Sequence, residues 1–122
     1  MKILAIEHIQ IATPESSENV AREFYVNVLG FTEIPKPLAL ANRGGVWFKS
    51  ENVQLHLGVE KDFHSARKAH PAFLVDNLDE FISKAKSLEI EIDTSPPELE
   101  GFKRAHIFDP FGNRIELMEV IK

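Results

Sequence analysis

Apolar and polar residues alternate through LAIEHIQIA, residues 4–12. Leu4, Ile6, His8 and Gln10 share one parity and Ala5, Glu7, Ile9 and Ile11 the other, so the period of two predicts a strand. The pattern changes after Thr13-Pro14-Glu15-Ser16-Ser17, which offers hydroxyl caps, a proline suited to a first turn and an early acid. Val20, Ala21, Phe24 and Val28 then recur at helical spacing, and Gly30 is a natural stop after Leu29. A short strand is expected over Phe31–Pro35, ended by Pro35-Lys36-Pro37, with an unassigned apolar connection over 38–43. Val46–Lys49 and Val53–Val59 read as strands joined by Ser50-Glu51-Asn52.

Residues 60–69 are charged and predict a linker, after which the pattern starts again. His70–Val75 predicts a strand. Asp76-Asn77 can cap a helix whose apolar stripe is Leu78, Phe81, Ile82, Ala85 and Leu88. Asp79 and Glu80 in its first turn and Lys84 and Lys86 near its end suit the helix dipole. A strand edge over Glu89–Asp93, a loop over Thr94–Gly101, a strand over Arg104–Phe108, a turn over Asp109–Asn113 and a last strand over Arg114–Val120 complete the pass. The order is β-α-β-β-β, linker, β-α-β-β-β, an internal repeat of pattern with weakly matching letters. It predicts one α+β domain built of module 1 (about 1–60), linker 61–69 and module 2 (about 70–122), with helices over one face of a curved sheet.

Composition narrows the partners. At 122 residues and 43% hydrophobic content, one compact core is expected. The net charge of −5 argues against a nucleic-acid partner, which calls for a basic patch. No apolar run approaches the roughly 20 residues of a membrane span, and the first ten residues lack a signal-peptide pattern, so no membrane partner is expected. Without cysteine there is no disulfide, thiolate metal site or cysteine nucleophile, which is compatible with a cytoplasmic location.

The repeat aligns the candidate chemistry. His8 opens the first strand of one half and His70 that of the other; His56 lies in the last strand of the first half and Glu116 in that of the second. If the halves pack about a pseudo-twofold axis, these four can point into one cavity, also lined by Gln10, Gln54 and Met118. Imidazoles with one carboxylate suit Zn, Ni, Co, Mn or Fe(II) better than the oxygen-rich shells of Mg or Ca. Taken singly, a half-buried histidine is more often a hydrogen-bonded structural residue and a strand glutamate more often solvated. His106 could face the cavity or simply pack. Arg43, Trp47, Arg67 and Arg104 are candidate substrate contacts, with ion pairing or packing as the ordinary alternative, and His64 fits a solvated loop.

HIQIATP with FYVNVLGF, then VQLHLGVE, AHPAFLVDNLDEF and FDPFGNRIELME together resemble the vicinal oxygen chelate superfamily, from Ile6 to Glu119. Its members include glyoxalase I, bleomycin and fosfomycin resistance proteins, methylmalonyl-CoA epimerase and extradiol dioxygenases. The resemblance implies two βαβββ modules forming a cupped, open barrel-like sheet with a divalent metal inside. Carried over by position, it implies His8, His70 and Glu116 as ligands, with His56 at a fourth position that varies among members. It also implies a homodimer, in which some members build the site across two chains.

The expected activity is that of a glyoxalase-like lyase or isomerase. Two neighbouring oxygens of a small substrate would chelate the metal, an enolate-like or oxyanionic species would be stabilised, and Glu116 would serve as ligand and base. Two alternatives stand beside it: a metal-free drug- or metabolite-binding protein, as in bleomycin resistance, and an Fe(II) extradiol-type dioxygenase using a two-His-one-carboxylate triad.

Overall fold

The computed structural model describes residues 1–122, which divide into two compact units, Met1–His64 and Ser65–Lys122. The first unit contains β1 (Ile9–Thr13), helix α1 (Glu18–Arg22), β2 (Thr32–Ile34), β3 (Val46–Ser50) and β4 (Val53–Val59). The second contains β5 (Ala72–Leu74), helix α2 (Leu78–Ser87), β6 (Ile92–Asp93), β7 (Phe102–Phe108) and β8 (Arg114–Val120). Each builds an open four-stranded sheet, in the orders β1-β4-β3-β2 and β5-β8-β7-β6. In both, the first and last strands are parallel neighbours and the remaining pairs are antiparallel. A parallel neighbour needs a crossover, and the helix after each first strand supplies it. The chain is thus an α+β protein of two βαβββ modules.

In the first unit α1 runs straight into a π-helix over Glu23–Val28. Its wider turn is closed by Leu29 N donating to Phe24 O at 3.0 Å. This register buries Phe24 and Tyr25 side by side, and Tyr25 stacks on Phe48 with ring centroids 5.5 Å apart. Leu55 and Leu57 complete that core from the central strand β4. The start of β3 needs Gly45: its φ is +98°, and a Cβ there would collide with the Leu57 carbonyl oxygen.

In the second unit Ala105, Ile107, Ile115 and Leu117 form one face of the β7–β8 pair and are buried with Leu78 and Ala85 of α2. Asn77 caps α2, accepting from Glu80 N at 3.0 Å. Asp109 organises the β7–β8 turn by accepting from the Phe111 and Asn113 backbone N–H groups, each at 2.9 Å, and from Asn113 Nδ2 at 3.0 Å.

Several boundaries differ from expectation. The first strand begins at Ile9 rather than Leu4, because the ladder with β4 begins at the Ile9–Leu55 pair. Leu4 and Ile6 are exposed, and His8 lies just outside the strand. Nor does His70 open its strand. Proline at 71 has no N–H to donate, so only its carbonyl joins the ladder, accepting from Glu116 N at 2.9 Å, and β5 starts at Ala72. The unassigned stretch after Pro37 is a 3-10 turn over Leu38–Leu40. The end of the expected linker is structural: Ala66 N donates to Asn113 Oδ1 and Ala66 O accepts from Arg114 N.

Candidate metal centre

Strand β8 carries Glu116 between Ile115 and Leu117, whose side chains fill the opposite, apolar face. Alternation therefore aims the carboxylate at the other face, and the residue as a whole is only 5% exposed. A histidine reaches it from either side. On β7 the direct cross-strand partner of Glu116 is His106. On the other side Glu116 pairs with Ala72, and His70 lies two residues before Ala72. His70 Nε2 lies 3.0 Å and His106 Nε2 3.4 Å from Glu116 Oε1, and Arg104 Nη1 donates to Oε2 at 3.4 Å. Arg104 is held from behind, since its Nε donates to the Pro97 carbonyl at 2.8 Å.

A carboxylate this buried would ordinarily gain a proton more easily. Burial does act in that direction, but the hydrogen bonds from His70 and His106 and the charge of Arg104 together outweigh it. The Glu116 carboxyl accordingly lies below its ordinary value.

The donor set fits a divalent cation. His70 Nδ1 is 2.9 Å from the Lys68 carbonyl, which can only accept, so that nitrogen carries the proton. His70 Nε2 is then the nitrogen that meets Glu116, 3.0 Å from Oε1, and either a proton on Nε2 or a divalent cation can join the two atoms. One ligand atom each from His70, His106 and Glu116 lie within 4.8 Å of one another. Two imidazoles and a carboxylate at this spacing suit a borderline transition metal.

The first unit holds the other expected residues. His56 on β4 is sandwiched: its ring stacks 3.7 Å from Trp47, parallel to within 1°, and 4.2 Å from His8 at 16°. Burial, followed by the charge of His8, lowers the His56 pKa, while Glu7 acts weakly the other way. Gln54 Oε1 is 3.3 Å from His56 Nε2. Gln10 and Trp47 line a cleft of about 370 Å³ with Lys36, Leu40 and Arg43. His8 Nδ1 is 2.7 Å from Glu7 Oε1.

In the second unit, then, His70, Glu116, Arg104 and His106 come together, and Met118 follows on the same face. His106, a candidate substrate contact on sequence grounds, stands beside Glu116 among the atoms that could hold an ion. The available signal was its parity with Arg104 and Phe108, but that parity points at Glu116 only once the β7–β8 register is known. His64 is an exposed loop residue, with Nδ1 2.8 Å from the Asp62 carbonyl.

Two modules of identical strand order, one with a buried carboxylate between two histidines, define the vicinal-oxygen-chelate class of α+β protein. The chain belongs to the Glyoxalase/Bleomycin resistance protein/Dioxygenase superfamily, whose family model matches residues 5–117. A solved structure of a protein assigned to the glyoxalase family of Bacillus anthracis is similar at 45% identity with a TM-score of 0.90, covering 99% of this chain and 98% of that one. The fosfomycin resistance protein FosX of Listeria monocytogenes shares the fold at 18% identity and TM-score 0.77, covering 98% and 96%. Lactoylglutathione lyase of Agrobacterium tumefaciens shares it at 22% and 0.71, covering 94% and 92%. At these identities the last two speak for the fold alone. No curated protein matches the chain. No helix is long and apolar enough to cross a membrane.

Proposed function

We propose that the protein is a divalent-metal-dependent lyase or isomerase of the glyoxalase type, acting on a small substrate with two neighbouring oxygens. The observation that carries this reading is the buried Glu116 carboxylate facing two histidine Nε2 atoms, with the far side of the His70 ring fixed by a backbone carbonyl. His70, His106 and Glu116 would hold the ion. The family resemblance would instead combine His70 and Glu116 with His8, and with His56 as a fourth, and that set is the alternative within this proposal. A bound divalent ion would supply Lewis acidity towards the paired substrate oxygens.

The chain's own residues do the rest. Glu116 is ionised and acceptor-only, so it can receive a proton from the carbon next to a substrate carbonyl. Arg104 holds that carboxylate from the side away from His70 and keeps it charged. Gln10, Trp47, Gln54, Arg104 and Met118 are the proposed substrate contacts, while His106, expected among them from the sequence, is assigned to the ion instead. We assign the two modules to one domain that works as a cytoplasmic homodimer on a small molecule.

Metal content of the purified protein and of Glu116→Gln tests this. Stoichiometric metal in the wild type, lost in the variant, is expected; its absence from both would refute the reading. Turnover of methylglyoxal with glutathione then assays the lyase chemistry. Two observations favour other readings. The cleft beside Trp47 suits a metal-free binding protein, which would bind its ligand unchanged after chelation. Two histidines with one carboxylate also suit an Fe(II) dioxygenase, which would consume oxygen with a catechol.

A further inference from the structure

Three cross-strand pairs follow one another on the face of β7–β8 that carries Glu116: Arg104–Met118, His106–Glu116 and Phe108–Arg114. Successive pairs on one face are roughly 7 Å apart. The middle pair belongs to the candidate centre. At one end Arg104 is already committed, with Nε on the Pro97 carbonyl and Nη1 on Glu116. The other end is different. Arg114 lies with its guanidinium carbon 5.9 Å from the Phe108 ring centroid, and a second guanidinium, that of Arg67, lies 5.0 Å from the same ring.

Neither cation forms an ion pair or a side-chain hydrogen bond, and Arg114 Nε is buried with no hydrogen-bond partner. A buried N–H without an acceptor is unfavourable and rare. Asp93 feels the charge of Arg114 but is not paired with it; its Oδ1 accepts from Ser95 N at 2.9 Å and Ser95 Oγ at 2.6 Å. Arg67 is delivered by a pinned segment. Ser65 Oγ donates to the Phe111 carbonyl at 2.6 Å, and Ala66 N donates to Asn113 Oδ1 at 2.9 Å. A hydrogen-bonded segment therefore brings a second guanidinium to the ring that the first also meets, and neither is paired with a carboxylate.

We propose that Arg67 and Arg114, gathered over Phe108, form an oxyanion subsite that holds a carboxylate, phosphonate or phosphate group of the molecule processed at Glu116. The inference rests on the reading of Glu116 as part of the reaction centre, and it narrows the substrate class to small anions. Planar guanidinium forks bind such oxygens through paired hydrogen bonds, and contact with the Phe108 ring helps to orient each fork. The acid group would lie about one strand repeat, roughly 7 Å, from the reacting oxygens.

Calorimetric titration of the full-length protein with inorganic phosphate and with methylphosphonate tests this, at ionic strength held constant with chloride. Saturable binding is expected in the wild type, weakened about tenfold or more in Arg67→Gln and in Arg114→Gln. Arg114→Lys, which keeps the charge but loses the fork, is expected to fall between. Arg67 is exposed, so its variant reports even if Arg114→Gln folds poorly. Absence of saturable binding in the wild type, or unchanged affinity in Arg67→Gln, overturns the subsite. Glu116→Gln is expected to keep phosphate binding while losing metal. Retention of metal in that variant would count against the proposed function and leave the subsite standing.

Discussion

Glu116→Gln separates a metal ligand from a structural ion pair while preserving shape. The side chain is 7% exposed, and its neighbours His70, Arg104 and His106 are 23%, 16% and 14% exposed. Removing one partner from a fully buried pair costs about 3–5 kcal/mol. Here the partners are part-exposed rather than fully buried, so about 1–3 kcal/mol is expected near neutral pH without metal. For a chain of this length, 1 kcal/mol moves the thermal midpoint by about 4 °C. Added Zn, Co, Ni or Mn at a hundred times its Kd should stabilise the wild type by about 2.7 kcal/mol, or roughly 10 °C. Glu116→Gln should show almost none of that gain. Melting curves of both proteins, with each metal and with chelator, read both quantities. Equal metal-induced shifts in the two proteins would refute Glu116 as a ligand, and a variant as stable as wild type in chelator would refute the ion-pair geometry.

Other expectations apply to the protein in chelator. Asp109→Ala removes the acceptor of three donors, two of those bonds buried, and should cost roughly 2–4 kcal/mol in urea unfolding, whereas a loss below about 1 kcal/mol would show that the turn stands without it. Asn77→Ala removes the cap of α2 and should cost about 1 kcal/mol, measured the same way, with Asn77→Gly costing less. Acidification should lower stability in two stages. The depressed His56 value makes its neutral form the folded one, so its contribution is complete above about 6.5 and is lost as pH falls towards the lower folded value. The depressed Glu116 value favours the charged form, so its contribution is complete above the ordinary glutamate range and is lost as pH falls through the lower folded value. A urea midpoint whose pH dependence above the glutamate range is the same in wild type and His56→Gln would contradict the first stage.

Much of this protein is legible along the chain. Periods of two and 3.6 with Pro and Gly punctuation place both helices and the long strands, because each element's apolar face is a local property. Leu55 and Leu57, or Ile115 and Leu117, show their buried face by spacing alone. The repeat follows from the same pattern, and Glu116 stands out as a carboxylate in strand phase with no apolar role. Strand ends are not local. Leu4 has the right alternation but no ladder partner, and at His70 a neighbouring proline withholds a donor. The π-helix is hidden too, because one widened turn leaves the apolar spacing nearly helical.

The site divides in the same way. Spacing in the sequence determined that Glu116 and His70 occupy corresponding places to His56 and His8 in the repeat. Only the tertiary structure decided that His106 faces Glu116, that Arg104 leans on the carboxylate, and that Arg67 joins Arg114 over Phe108. Each of those relations depends on which residue of one strand lies opposite which residue of another. Register arises from pairing between distant segments, and a one-residue slip would turn every one of these side chains to the other face.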